Sequence, residues 1–431
     1  MPELKKESRI VTVARLFFLL VVIPLLLISS LIAFSIGHYG GVSKTGATAA
    51  LDQKSQEEMK VRAMDLGQNI ADFLRERQKD VEIATILPTT AAAYQGFLTA
   101  KTSELWVKGE QGVVKEQLPL YTEMAYIDRN GNEVVKVVDG KVVAGENVSD
   151  PANTAYKSED YFLKAKELDK GQVYVSHVTG WYVSKAEFEQ GKRFGGIVRI
   201  AAPLFDKQGF NGVVALALDV RHLARYTDNI VPTSTEYVIE ADAATGNYAY
   251  MVDDRGYVIS HPLDYHIAGL YKDGTPVPSI TPANKEEMVA KGEEVLNLLA
   301  LDGLEPELVE VAKDAAAGNA GIKNYTFEGR AKMVAYAPIP FYAGGYTKPA
   351  GFGWVGLGVD VEKFNEQAKI ATEKIEKEGQ MWLATIIVIL LGAMIILFTI
   401  AAILARGINR SIRAEATPEE MKNAGYDDED D

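Results

Sequence analysis

VVALALDV, residues 213–220, and WVGLGVDV, residues 354–361, are two versions of one apolar run, each closed by Asp-Val and set 141 residues apart. A short run of small and β-branched apolar residues ended by a polar one reads as a strand. Reading backwards from the first copy gives GIVRIAAPLFDKQGF, 196–210, another strand joined to it by a turn over Asp206 to Gly209. Reading backwards from the second gives AKMVAYAPIPFY, 331–342. Ala202-Pro203 and Ala337-Pro338 hold matching places in the two strands.

The correspondence extends further upstream. TEMAYIDRNGNEVVKVVDGKVV, 122–143, reads as strand, turn, strand, with Asp128-Arg129-Asn130-Gly131 at the bend. Asparagine and glycine take positive φ most easily there. NYAYMVDDRGYVISHP, 247–262, repeats the arrangement with Asp253-Asp254-Arg255-Gly256, and an Ala-Tyr pair precedes each turn, at 125–126 and 249–250. Three strand segments thus recur in one order, the signature of an internal duplication. Two related antiparallel modules follow, 91–235 and 236–370. KGQVYVSHV, 170–178, adds a strand to the first, and 285–318 reads as helical within the second.

The 431 residues include no cysteine, which removes disulfides, thiolate catalysis and cysteine metal sites. Two uncharged apolar runs, 16–36 and 381–405, each reach the roughly 20 residues that span a hydrocarbon core. Lys5, Lys6, Arg9 and Arg15 precede the first, and Arg406, Arg410 and Arg413 follow the second. Positive flanks stay cytoplasmic, so the expectation is a two-pass protein of the plasma membrane, with 1–15 and 406–431 inside and 37–380 outside. Of the formal net charge of −14, the tail 414–431 carries −7 and the two basic flanks +2 and +3, which leaves −12 between them. An acidic exterior argues against nucleic acid or anionic lipid headgroups as partners.

Between the first span and the first module, 37–90, Met59, Ala63, Leu66, Ile70, Phe73, Val81 and Ala84 recur at spacings of three and four. This predicts one long amphipathic stalk helix over 50–85, packed on its own domain and able to pair with a second copy. Residues 371–379 predict a short helix feeding the second span.

The order and repetition of YIDRNGNEV, YKSEDYFLKAKELDKGQVYVSHV and VRIAAPLFDKQGFNGVVALALDV, with their second set over 250–361, resemble the double Cache family. These are external sensor domains of bacterial and archaeal chemoreceptors, of the methyl-accepting chemotaxis type, and of sensor kinases. The resemblance implies an α+β fold: a long N-terminal stalk helix and two PAS-like antiparallel-sheet modules between two transmembrane helices. It also implies a small polar organic ligand in the membrane-distal module, and a homodimer formed through the stalk. ILARGINRSI, 403–412, resembles the start of a HAMP linker, after which no methylation helix or kinase motif follows. The alternatives are an accessory or decoy receptor subunit, partnered by a full-length receptor, and the sensor part of a split histidine kinase.

Candidate chemistry is of the binding kind. Arg199 lies inside an apolar strand, where it either clamps a ligand carboxylate or faces solvent from the other side. Asp219 ends the repeated strand; the family implies an ammonium contact there, and helix capping is the plainer role. Tyr161, Tyr174 and Ser176 fall on the segment that walls the family's pocket, and Trp181 is a candidate lid. Amino-acid-binding members carry Arg-x-Trp-Tyr where this chain has Ser158-Glu159-Asp160-Tyr161, so that specificity is not carried over. His38, His177, His222, His261 and His266 show no metal spacing, and no catalytic or nucleotide motif occurs. The expectation is a protein without cofactor, metal or enzymatic activity.

Overall fold

The computed structural model describes residues 21–109, 112–234, 238–327 and 329–415. The chain divides into two units, Gln53–Asn365 and the terminal segments on either side.

The larger unit is organised by three antiparallel sheets. Strand β1 (Thr102–Gly109) pairs with β2 (Gly112–Pro119) in a separate hairpin. The first module sheet contains β3 (Tyr121–Asp128), β4 (Glu133–Val138), β5 (Lys141–Val142), β6 (Tyr174–Val175), β7 (Thr179–Gly180), β8 (Gly196–Asp206) and β9 (Gly209–Asp219). Its order is β5-β4-β3-β9-β8-β6, with β7 also on β8. The second contains β10 (Tyr248–Asp253), β11 (Val258–Ser260), β12 (Gly321–Phe327), β13 (Arg330–Ile339) and β14 (Gly353–Asp360), in the order β11-β10-β14-β13-β12. The two Asp-Val strands, β9 and β14, hold the same central position. Each is flanked by the strand leading into the Asp-Gly turn and by the Ala-Pro strand. Flanked on both sides and buried over 212–219 and 353–359, β9 and β14 must be apolar on both faces there, which is why both read as continuous runs.

The two turns share one chemistry. Asp128 accepts from the backbone N–H of Asn130 and Asn132 at 2.8 and 2.9 Å, with Gly131 at φ 90°. Asp253 accepts from Arg255 and Tyr257 at 3.0 and 2.9 Å, with Gly256 at φ 88°. The aspartate satisfies turn donors that would otherwise lack partners, and glycine supplies the left-handed residue.

Helix α1 runs Ile23–Ala84, and its Met59, Ala63, Leu66, Ile70, Phe73, Val81 and Ala84 are all buried. At about 1.5–3 kcal/mol for each large side chain, this face fixes the helix to both modules. Gly67 lets it approach: a Cβ there would lie 2.3 Å from the Pro338 carbonyl oxygen. After α1, Pro88 and Thr90 reset the chain, and the Thr90 hydroxyl caps α2 (Ala91–Ala100).

Two helical expectations take a different form. Over 285–318 there are two short helices, Lys285–Lys291 and Pro306–Ala316, because Gly292 at φ 67° ends the first and Pro306 starts the second. Residues 371–379 are not a separate helix but part of a continuous one, Val361–Glu415. Within it, Glu373–Ile400 is long and apolar enough to cross a membrane, with mean hydropathy 2.9 and no burial. It is the one such segment among the described residues. The described part of the first apolar run, Ile23–Ser35, is a shorter apolar helix, and residues 16–20 of that run lie outside the described residues. The acidic tail beyond Glu415 lies outside them as well.

Candidate ligand-binding site

Between the first and second modules lies a cavity of about 820 Å³, within the usual range for small-molecule sites. The first module supplies Asp160, Tyr161, Tyr174, Ser176, His177 and Arg199 to its wall, and the second supplies Asp254, Arg255, Tyr257 and the loop Gly344–Tyr346.

Arg199 is placed by register. It sits on β8 opposite Ala217 of β9, in a cross-strand row that continues to Glu123 of β3. Only 1 % of Arg199 is exposed. Its guanidinium is saturated from inside: Nε donates to Glu159 Oε1 at 2.6 Å and Nη1 to Glu123 Oε1 at 2.6 Å. Lys136 extends the network, 3.8 Å from Glu123 and 2.9 Å from Glu133. Burial alone would raise the Glu123 carboxyl, but Arg199 and Lys136 outweigh it and hold it below the ordinary range. The guanidinium also lies over the Tyr161 ring, 4.7 Å from its centre.

Ser176 binds this strand by backbone and side chain. Its N–H donates to the Arg199 carbonyl, and its Oγ accepts from the Arg199 N–H, both at 2.8 Å. Tyr174 donates its hydroxyl to Asp160 at 3.1 Å; burial and then Asp160 push the phenol upward, so it keeps its proton. The opposite wall is held to this strand by three links. Val175 N–H donates to the Gly344 carbonyl at 3.0 Å, Tyr346 donates to the Ser176 carbonyl at 2.9 Å, and His177 Nε2 lies 2.8 Å from Asp254 Oδ1. Gly344, at φ 68°, allows the approach, since a Cβ would meet Val175 at 2.5 Å.

His177, Asp253 and Asp254 bring three potential metal-ligand atoms within 4.8 Å of one another. Asp253 is already committed: Oδ1 accepts two backbone N–H groups, and Oδ2 accepts from Arg255 Nε and Nη2 at 3.0 and 2.7 Å. The guanidinium stands where a cation would, and the trio reads as an ion-pair net.

A family model for the Cache domain matches residues 46–363. The chain belongs to the double Cache family. No curated protein matches it. Among solved structures, it is similar to the ligand-binding domain of the Pseudomonas aeruginosa PAO1 amino-acid chemoreceptor PctB in complex with L-Arg (12 % identity, 77 % of this chain and 98 % of that one, TM-score 0.40). The ligand-binding domain of the Pseudomonas fluorescens chemoreceptor CtaA in complex with L-leucine gives 14 %, 74 %, 97 % and 0.36. The sensory domain of the Campylobacter jejuni chemoreceptor Tlp3 gives 10 %, 75 %, 99 % and 0.39. Likenesses of that size are faint, and membership rests on the family match.

In this Cache chain, four of the six candidate residues, Tyr161, Tyr174, Ser176 and Arg199, meet at the one cavity. The other two stand elsewhere. Asp219 lies opposite Ile197 and accepts from the Arg221 N–H at 2.9 Å and from its guanidinium at 2.6 Å. Trp181 packs on Tyr156, ring centres 5.1 Å apart, beneath Lys272. Sequence reasoning passed over Asp160, Asp254, Arg255, Tyr257 and Tyr346. Asp253 and Asp254 were visible only as a turn; the doubled aspartate was the signal, since one carboxylate caps the turn and its neighbour faces away.

Proposed function

We propose that this chain is a membrane-anchored, extracytoplasmic sensor that binds a small polar organic molecule in the inter-module cavity, and that it is a binding protein rather than an enzyme. The observation that carries the reading is the cavity itself: its walls come from both modules, and the hydrogen bonds Val175–Gly344, Tyr346–Ser176, His177–Asp254 and Leu270–Gly180 cross the seam around it. A ligand touching both walls has a different affinity for each arrangement of the modules, which is the requirement for moving a two-state equilibrium. Tyr161, Tyr174, Ser176 and Arg199 form the first-module wall in this reading.

The basic flanks of the two apolar runs support a two-pass placement with both termini cytoplasmic and residues 37–380 outside. Val61 and Met64 on α1 are about half exposed, which supports pairing of two copies along the stalk. Displacement of α1 and of the helix Val361–Glu415 would carry the signal inward. The test is a thermal-shift screen of the full chain in lipid nanodiscs against small polar metabolites. At least one compound is expected to raise the melting temperature in the wild type and not in Tyr174→Phe/Ser176→Val. A screen in which no compound stabilises the chain would overturn the reading.

A further inference from the structure

The cavity's charges do not balance, and the imbalance names a ligand class; this step rests on the cavity being the sensor site. Both arginines of the wall are neutralised from behind. Arg199 holds two carboxylates, Glu123 and Glu159, and Arg255 holds Asp253 through two nitrogens. Lys164 and Glu167, exposed at the rim, offset one another. Two carboxylates remain. Asp160 is partnered by the phenol of Tyr174, which stays protonated, and Asp254 by the imidazole of His177 rather than by an ammonium or guanidinium. The side chain of Asp254 is 28 % exposed and Asp160 is half-buried, so each can meet a ligand.

An anionic ligand would enter a wall whose cations are spent and whose remaining charge is negative. A cationic ligand loses only water. Tyrosine faces in this wall already receive cations, Arg199 over Tyr161 at 4.7 Å and Arg255 over Tyr257 at 5.4 Å, and Tyr174 and Tyr346 present further rings to the same space. We propose that the cavity takes a small organic cation, an amine or quaternary ammonium, anchored by Asp160 of the first module and Asp254 of the second. Because the two anchors belong to different modules, one ligand charge would couple them.

The experiment uses the full chain in nanodiscs and isothermal titration with four probe classes. These are ethylamine, 1,4-diaminobutane and tetramethylammonium as cations; propionate and succinate as anions; alanine as a zwitterion; and glycerol as a neutral polyol. Cations are expected to bind and anions not. Asp160→Asn and Asp254→Asn are each expected to weaken cation binding roughly tenfold or more, the worth of one charge-assisted hydrogen bond. Asp254→Glu should recover part of the loss, which a folding defect would not. Tighter binding of propionate, succinate or alanine than of the amines would overturn the cation assignment while leaving the cavity a ligand site. So would amine binding indifferent to both aspartates. If no class binds, the sensor reading of the cavity falls with it.

Discussion

Arg199 brings a positive charge into a wall where 1 % of its surface meets solvent, and it is tolerated there because Glu123 and Glu159 accept its hydrogen bonds. Such a buried triad adds little net stability, since desolvation offsets most of the attraction, but breaking it is costly. Arg199→Met is therefore expected to cost about 3–5 kcal/mol, because two buried carboxylates lose their common partner and Lys136 is left to serve Glu123. Arg199→Met combined with Glu123→Gln and Glu159→Gln should recover most of that. Urea unfolding of the single and triple variants checks both figures. Equal stability of wild type and Arg199→Met would mean that the triad is not formed. The same residue shows where sequence reasoning stopped. An arginine in an apolar strand is legible as an anomaly, but its partners lie 40 and 76 positions away, Glu159 on the loop before the helix Tyr161–Lys166 and Glu123 across the sheet by strand register. Ligand clamp and outward-facing side chain were both open from the sequence; burial excludes the second, and the ion pairs to Glu123 and Glu159 were not foreseen.

At the scale of elements, what could be read was whatever repeats locally. The central strands β9 and β14, the Asp-Gly turns and the buried stripe of α1 all follow from patterns within a short stretch of chain. The hairpin β1–β2 was not read: its two strands hold few apolar residues, and most of their described side chains are exposed. Of the cavity, only first-module wall residues could be read; the second-module wall could not, because the lining runs from positions 158 to 346 and closes only where the modules meet. The close approach of α1 to the second sheet gives this scale its prediction. With a Cβ at residue 67 only 2.3 Å from the Pro338 oxygen, Gly67→Ala must push helix or strand apart. Relief of such overpacking is expected to cost about 1–3 kcal/mol, outweighing the gain in helix propensity of about 1 kcal/mol. Thermal unfolding reads the sign directly, and a stabilised Gly67→Ala would show that α1 does not lie against β13.

At the scale of the whole molecule, the junction between modules carries two carboxyls that burial pushes upward. Asp228 ends the helix Arg221–Asp228 and accepts from Ser260 Oγ of β11 at 2.9 Å; it is raised to about 7. Asp264 accepts the Phe194 N–H and is raised to about 6, chiefly by burial and against the pull of that bond and of Arg193. Both bonds join the first module to the second. The sign follows from the direction. A carboxyl raised in the folded state contributes stability that is fully present below its unfolded value near 4, and that is lost as the pH rises through 6 and 7. Buried His222 and His261, both lowered mainly by burial, act in the opposite sense below about pH 6.5, so the wild-type curve alone mixes the two. The difference between wild type and Asp228→Asn cancels the histidines. Relative to wild type, Asp228→Asn is expected to gain about 2 kcal/mol between pH 5 and pH 8, because it removes a charge that the fold disfavours. Urea unfolding of both proteins across that range measures it. A difference that stays constant with pH would show that Asp228 ionises freely at the junction, and that the modules meet there through water rather than through a dry seam.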